Sequence, residues 1–158
     1  MSDTEPRAGS VPWPPLVYLT AIVIAAVLGV FYPLPWIGGL LGDLLFVIGL
    51  LVLLAVAALW VTAFRAMIGA KTTLNPTGTP THLLTRGPFS VSRNPIYLAN
   101  SLLLIGIGLA SGLAWFLLAA LAASFAVSKL AIQREEKVLA ARFGKKYRDY
   151  EKKVRRWI

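Results

Sequence analysis

The 158-residue sequence has no cysteine and a single histidine, His82. Without cysteine there is no disulfide, no thiolate nucleophile and no Cys-based metal site, and one imidazole builds neither a His-centred triad nor a histidine metal cage. Charge is also scarce, at 15% of residues against about 25% in ordinary soluble domains. Acid is the scarcer sign: 7 Asp+Glu stand against 16 Lys+Arg, a formal +9. Such an excess can mark a nucleic-acid binder, but long uncharged runs separate the basic residues and leave no continuous basic surface for a phosphate backbone. Neither nucleic acid nor a metal is therefore expected as a partner. What the chain has in abundance is apolar surface, 57% hydrophobic residues and a mean hydropathy of +0.69. That is the composition of an integral membrane protein.

The apolar residues fall into runs. Residues 1–15 are polar and Pro-rich and carry Asp3, Glu5 and Arg7, which predicts a disordered tail rather than the basic start of a signal peptide. Leu16 to Tyr32 is uncharged and closed by Pro33 and Pro35, with Trp13 and Trp36 at the flanks as interface anchors. A second run extends from Leu44 to Met67 and meets its first charge at Arg65, which can snorkel to the headgroups. Residues 16–67 thus form two transmembrane helices. Residues 68–95 hold Pro, Gly and Thr in no lasting period and read as a long polar loop, which in a small domain is usually functional or disordered. Pro95 sits where a helix opens, Ile96 to Ala110 is apolar, and Ser111-Gly112 turns the chain into Leu113 to Ile132. These are two more spans in a tight antiparallel hairpin.

Residues 134–158 hold ten Lys/Arg and four acids, a net +6. Leu139, Phe143, Tyr147, Tyr150, Val154 and Trp157 recur at helical spacing, and Gly144 is expected to break the segment in two. An amphipathic helix of this kind either lies on anionic headgroups as an anchor or packs on the protein. The fold class expected is all-α: a polytopic membrane protein of about four transmembrane helices plus a C-terminal amphipathic segment. Four spans place both termini, the +3 loop and the +6 tail on one side, which the bias of Lys and Arg makes the cytoplasmic side of an inner or endoplasmic-reticulum-type membrane.

Polar residues at the ends of spans are costly and therefore informative. One group is Arg93-Asn94-Pro95-Ile96-Tyr97 at the mouth of the third helix, preceded by Arg86-Gly87-Pro88-Phe89. A second is Asn100, Ser101, Gly106 and Gly108 within that helix, and a third is Lys129 with Arg134-Glu135-Glu136 at the end of the fourth. A tight hairpin brings the first and third groups face to face. Each has a plainer reading: Arg93 on a lipid phosphate, the glycines as close-packing sites, and the glutamates paired with Arg134, Lys129 or Arg142 in a solvated cluster.

In order along the chain these pieces are more specific. The run L-T-x-G-P-F-x-x-x-R-N-P-x-Y-L from Leu84 to Leu98, the G-x-G hairpin, R-E-E-x-x-L-x-x-x-F-G-x-x-Y-x-x-Y from Arg134 to Tyr150 and the closing V-x-R-W from Val154 closely resemble the integral-membrane methyltransferases. That superfamily includes isoprenylcysteine carboxyl methyltransferases and phospholipid N-methyltransferases. The resemblance covers about residues 74–158, and the first two spans carry no motif. It implies that residues 68–158 are the methyltransferase core, with S-adenosylmethionine bound between the last hairpin and the C-terminal segment. Leu84, Gly87, Arg93, Asn94, Tyr97, Gly106, Gly108, Glu135 and Glu136 are the cofactor-binding residues it implies, with Glu135 and Arg93 catalytic. Asn94 stands where many relatives have His, so no imidazole base acts there.

The residue chemistry suits the implied ligand: carboxylates for an ammonium or ribose hydroxyls, Arg93 for a carboxylate, aromatic rings for adenine or sulfonium. A base is needed only for a protonated amine, and Glu135 or Glu136 is the candidate. The acceptor is expected to be a lipid or lipid-tethered group, a phospholipid amine slightly favoured over a prenylcysteine carboxylate. The competing reading is a non-enzymatic membrane protein with a tail that binds anionic lipid.

Overall fold

A computed structural model describes residues 13–70 and 82–158. Expectations for residues 1–12, most of the N-terminal tail, and for residues 71–81 of the polar loop lie outside the described residues. Helix α1 (Trp13–Phe31) starts three residues before Leu16, where the first span was expected to begin. Pro14 and Pro15 fall in its first turn, where a missing N–H costs no intrahelical bond.

Helix α2 (Gly39–Gly69) has 31 residues, about 46 Å at 1.5 Å per residue, more than a bilayer core of about 30 Å requires. Helix α3 (Pro95–Ser111) has only 17. Pro95 takes the first helical position, and Gly112 closes the helix at φ +72, the left-handed conformation that favours glycine. Helix α4 (Ala114–Val127) continues through a π turn (Ser128–Ile132) into α5 (Gln133–Phe143). The fourth helix therefore does not stop at Ile132, because no Gly or Pro interrupts residues 114–143. It ends at Gly144, whose φ of +52 makes the expected break. Helix α6 (Lys145–Lys153) follows. Among the described residues three helices are long and apolar enough to cross a membrane and α3 is a shorter apolar one. The protein is a polytopic helical membrane protein.

Helix α3 is the centre, packed against α2 on one side and α4 on the other, while α1 packs mainly on α4. The α2 seam is narrow. Gly49, Val56 and Ala63 are its buried residues, spaced by seven, so a single stripe meets α3. A Cβ on Gly49 would lie 2.6 Å from the Ala110 nitrogen and 2.9 Å from the Gly106 carbonyl oxygen, so the two backbones touch. On the other side Tyr18, Leu104, Phe116, Ala120, Ala123, Val127 and Ile132 form the core between α1, α3 and α4. At the Gly112 end the Trp115 indole donates to the Tyr32 carbonyl at 2.7 Å, satisfying a backbone oxygen just past α1.

Candidate active site

At the Pro95 end the chain folds back on itself. A 3₁₀ turn (Gly87–Ser90) precedes the α3 mouth, and Gly87 opens it at φ +62. The C-terminal strand of chain after α6 lies along this segment: the Arg93 N–H donates to the Arg155 carbonyl at 3.0 Å, and the Ser92 hydroxyl and Asn94 Nδ2 donate to the Arg156 carbonyl at 3.2 and 3.1 Å. Ser92, nearly fully buried, also accepts from the Asn94 N–H at 3.1 Å. Asn94 thus clamps the tail to the helix mouth, a hydrogen-bonding task for which an amide serves.

The tail's apolar face is used up in this contact. Tyr147, Tyr150 and Val154 are buried against Leu83, Leu139, Ala140 and Phe143, and the two tyrosine rings meet edge-on at 6.3 Å. The Tyr150 hydroxyl donates to the Phe89 carbonyl at 2.6 Å. Burial pushes its pKa up to about 12 and raises that of Tyr147 too, so both stay protonated at physiological pH. Of the two destinies open to an amphipathic helix, the structure takes packing on the protein.

Four charged side chains converge in that fold. Arg93 Nη1 lies 2.7 Å from Glu151, 3.2 Å from Glu136 and 3.0 Å from the Tyr147 hydroxyl, to which it donates. Glu136 also takes a bidentate contact from Arg156, Nε at 3.0 Å and Nη2 at 2.6 Å. The Arg93 and Glu136 side chains are only 10% and 13% exposed. Burial works against the Arg93 charge, yet Glu151, Glu136 and Tyr147 outweigh it and hold its pKa above the ordinary value. Arg93 Nε is buried with no partner among the described residues. Beside this cluster the Tyr97 hydroxyl donates to Glu135 at 2.5 Å.

A hydroxyl network lies one turn further into the bundle. The Tyr18 hydroxyl donates to the Tyr97 carbonyl at 3.0 Å and meets Ser101 at 2.8 Å, and Ser124 donates to Ser101 at 2.8 Å. It pins α1, α3 and α4 together beneath Tyr97.

Arg93, Asn94, Tyr97, Glu135 and Glu136 are brought together. Arg93, expected to await a ligand carboxylate, is already paired with two protein carboxylates. The glutamates, in turn, pair with Arg93 and Arg156 and bond Tyr97; Lys129 and Arg134 are exposed, and Lys129 sits over Phe125 at 5.8 Å. Leu84 is half-buried and Gly87 exposed, both in the segment that leads to the mouth. Gly106 and Gly108 are not drawn into the cluster. A Cβ on Gly106 would meet Leu53 of α2 at 2.8 Å and one on Gly108 would meet Leu117 of α4 at 2.9 Å, so each is a packing contact on a different face of α3. Gly106 also stands about 13 Å along the helix from Tyr97. Tyr147, Glu151, Arg156, Ser92 and Tyr18 join the site although no sequence argument gave them a role in it. Tyr147 and Arg156 stood in the quoted motifs with no role assigned to them, and Glu151 looked like an ordinary member of a basic tail.

A family model for phospholipid methyltransferase matches residues 40–146. The chain belongs to the phospholipid methyltransferase family. None of the curated proteins matches it. Members of this family are membrane methyltransferases that act on lipid. The match takes in α2, which carries no motif of its own, and ends at Lys146, just before Tyr147, Glu151 and Arg156. Half of the charged cluster therefore comes from beyond the matched residues. Among the described residues no group of three His, Cys, Asp or Glu is placed to hold a metal ion.

Proposed function

We propose that the protein moves the methyl group of S-adenosylmethionine to a membrane lipid, with a phospholipid amine as acceptor and the C-terminal segment as one wall of the site. The observation that carries this reading is the pairing, at one end of α3 and α4, of two glutamates with two arginines and a tyrosine in a largely buried setting. Charged groups at the end of membrane helices are retained at a cost, and a ligand with charges of both signs is what such a set suits.

The residues fit the cofactor. Among the described residues the buried Arg93 Nε has no acceptor, and a ligand carboxylate would satisfy it. Glu135 has one proton donor, Tyr97, and its remaining lone pairs suit an ammonium or ribose hydroxyls. When bound, the cofactor supplies an already activated methyl group, so little acid or base chemistry is asked of the protein. Alignment in a water-poor site can be worth about 7–11 kcal/mol. An ethanolamine headgroup reaches the site as an ammonium and must lose a proton before its nitrogen is a nucleophile. Glu135 takes that proton on a carboxylate oxygen, and the Tyr97 hydroxyl fixes the carboxylate's direction. Glu136 and Arg156 hold Arg93 in place, and the buried Tyr147 and Tyr150 keep water from that side.

The same reading makes the Pro95 end cytoplasmic, because the basic loop and tail meet there. Single cysteines introduced at Ser2, Thr79 and Lys153 then label from the cytoplasm only, and one at Gly39 from the other side. The test of function is methyl transfer in nanodiscs that contain phosphatidylethanolamine, with methyl-labelled S-adenosylmethionine. Label in the lipid fraction is expected. Cofactor binding with no lipid labelled would overturn the acceptor, and no cofactor binding at all would overturn the reading.

A further inference from the structure

Helices α2 and α3 share a polar contact that the charged cluster does not use. The Trp60 indole donates to Asn100 Oδ1 at 3.0 Å. An indole N–H can only donate, so the amide's oxygen must face Trp60 and its NH₂ must face away. Among the described residues none accepts from that NH₂, and Asn100 is half-buried rather than enclosed. Two N–H donors are thus presented from a membrane helix, where water is scarce and an unmade hydrogen bond is expensive. Asn100 lies three residues beyond Tyr97, about 4.5 Å deeper along α3.

That depth has a chemical meaning. In a phospholipid the amine is outermost and the phosphate and glycerol-ester oxygens follow inward. With the amine at Glu135 and Tyr97, an oxygen of the glycerophosphate part comes level with the next turn of α3. We infer that Asn100, held in one orientation by Trp60, donates a hydrogen bond to an oxygen of the acceptor's glycerophosphate backbone and so selects glycerophospholipids. This rests on the proposed methyl transfer and assigns a lipid-positioning residue to the same site. A prenylated cysteine carries no such oxygen inward of its carboxylate, and would gain nothing from Asn100.

The test is steady-state methyl transfer in nanodiscs of graded phosphatidylethanolamine content. Asn100→Leu is expected to raise the KM for lipid about tenfold, the equivalent of one lost hydrogen bond, with kcat and the affinity for S-adenosylmethionine unchanged. Trp60→Phe/Asn100→Leu removes both partners at once, leaves no orphaned indole, and should show the same KM. A long-chain alkyl amine without phosphate or ester should be methylated equally by wild type and variant. An ether-linked phospholipid keeps the phosphate and lacks the ester carbonyl: if its KM still depends on Asn100 the oxygen is the phosphate's, and if not, the ester's. An unchanged lipid KM, or an equal loss with the alkyl amine, would overturn the inference while leaving the methyltransferase reading standing. Failure of the wild type to label any lipid would overturn the reading beneath it.

Discussion

The two ends of the α3–α4 hairpin are built on opposite principles. At the Gly112 end the contacts are close approaches of small residues: Gly49 against the Ala110 backbone, Gly108 against Leu117 and Phe116, and Gly112 against Trp36. At the Pro95 end Arg93, Glu136, Glu151 and Arg156 share one ionic cluster with Tyr147. Close packing is the cheap way to join helices in lipid, since it needs no desolvation of charge. Buried ion pairs, by contrast, are no better for stability than well-packed apolar groups of the same size. A fold that needed only to stand would use the first device at both ends. On the proposed reading, the second marks where the molecule does its work.

Substitutions at the two ends should therefore fail differently. The largest effect is expected for Glu136→Ala, which strips both guanidinium groups of their shared carboxylate. Breaking a buried pair costs about 3–5 kcal/mol, and the lower end applies because the Arg156 side chain is 35% exposed. Thermal unfolding and limited proteolysis of the tail would measure it, and an unchanged tail would contradict the clamp. Next comes Tyr97→Phe, which leaves Glu135 without its donor at about 1.5–3 kcal/mol, a ten- to hundredfold loss in methyl transfer with little change in unfolding temperature. Equal losses in activity and stability would blur the contrast drawn above.

Gly49→Ala should do the reverse. Its new Cβ meets backbone at 2.6 Å, so α2 and α3 must part, at about 1–3 kcal/mol of stability, while cofactor affinity in the folded fraction stays put. Gly108→Ala is milder, because the nearest atom, at 2.9 Å, is the far end of the Leu117 side chain. About 1 kcal/mol is expected, with cofactor affinity unchanged. A cofactor defect from Gly108→Ala with normal stability would restore the binding role that its motif suggested.

Much of this was legible beforehand, for identifiable reasons. Uncharged runs mark spans because no other structure tolerates them, and Gly144 marks a break because few residues take its conformation. Arg93, Tyr97, Glu135 and Glu136 could be placed together because a two-residue turn leaves a hairpin no other way to fold. Gly106 and Gly108 carried two readings from the start: the resemblance implied cofactor binding, while a G-x-G step places its two glycines about 200° apart on a helix, which favours close packing on separate faces. The part that Glu151, Arg156 and Tyr147 play in the cluster stayed hidden because an amphipathic pattern reads alike whether its apolar side meets lipid or protein. The continuation of the fourth helix past Ile132 was missed because the change from apolar to basic residues at Gln133 looked like an end, although backbone geometry had no reason to stop there.

The account turns on whether the glutamates at the α3 mouth face a ligand. Isothermal titration of S-adenosylmethionine into the detergent-solubilised protein and its Glu135→Gln/Glu136→Gln variant measures this directly, with liposome association as a parallel reading. Binding by the wild type, an affinity at least about tenfold weaker in the variant, and liposome association held or raised is the predicted result. A variant with near-normal affinity for S-adenosylmethionine would contradict it.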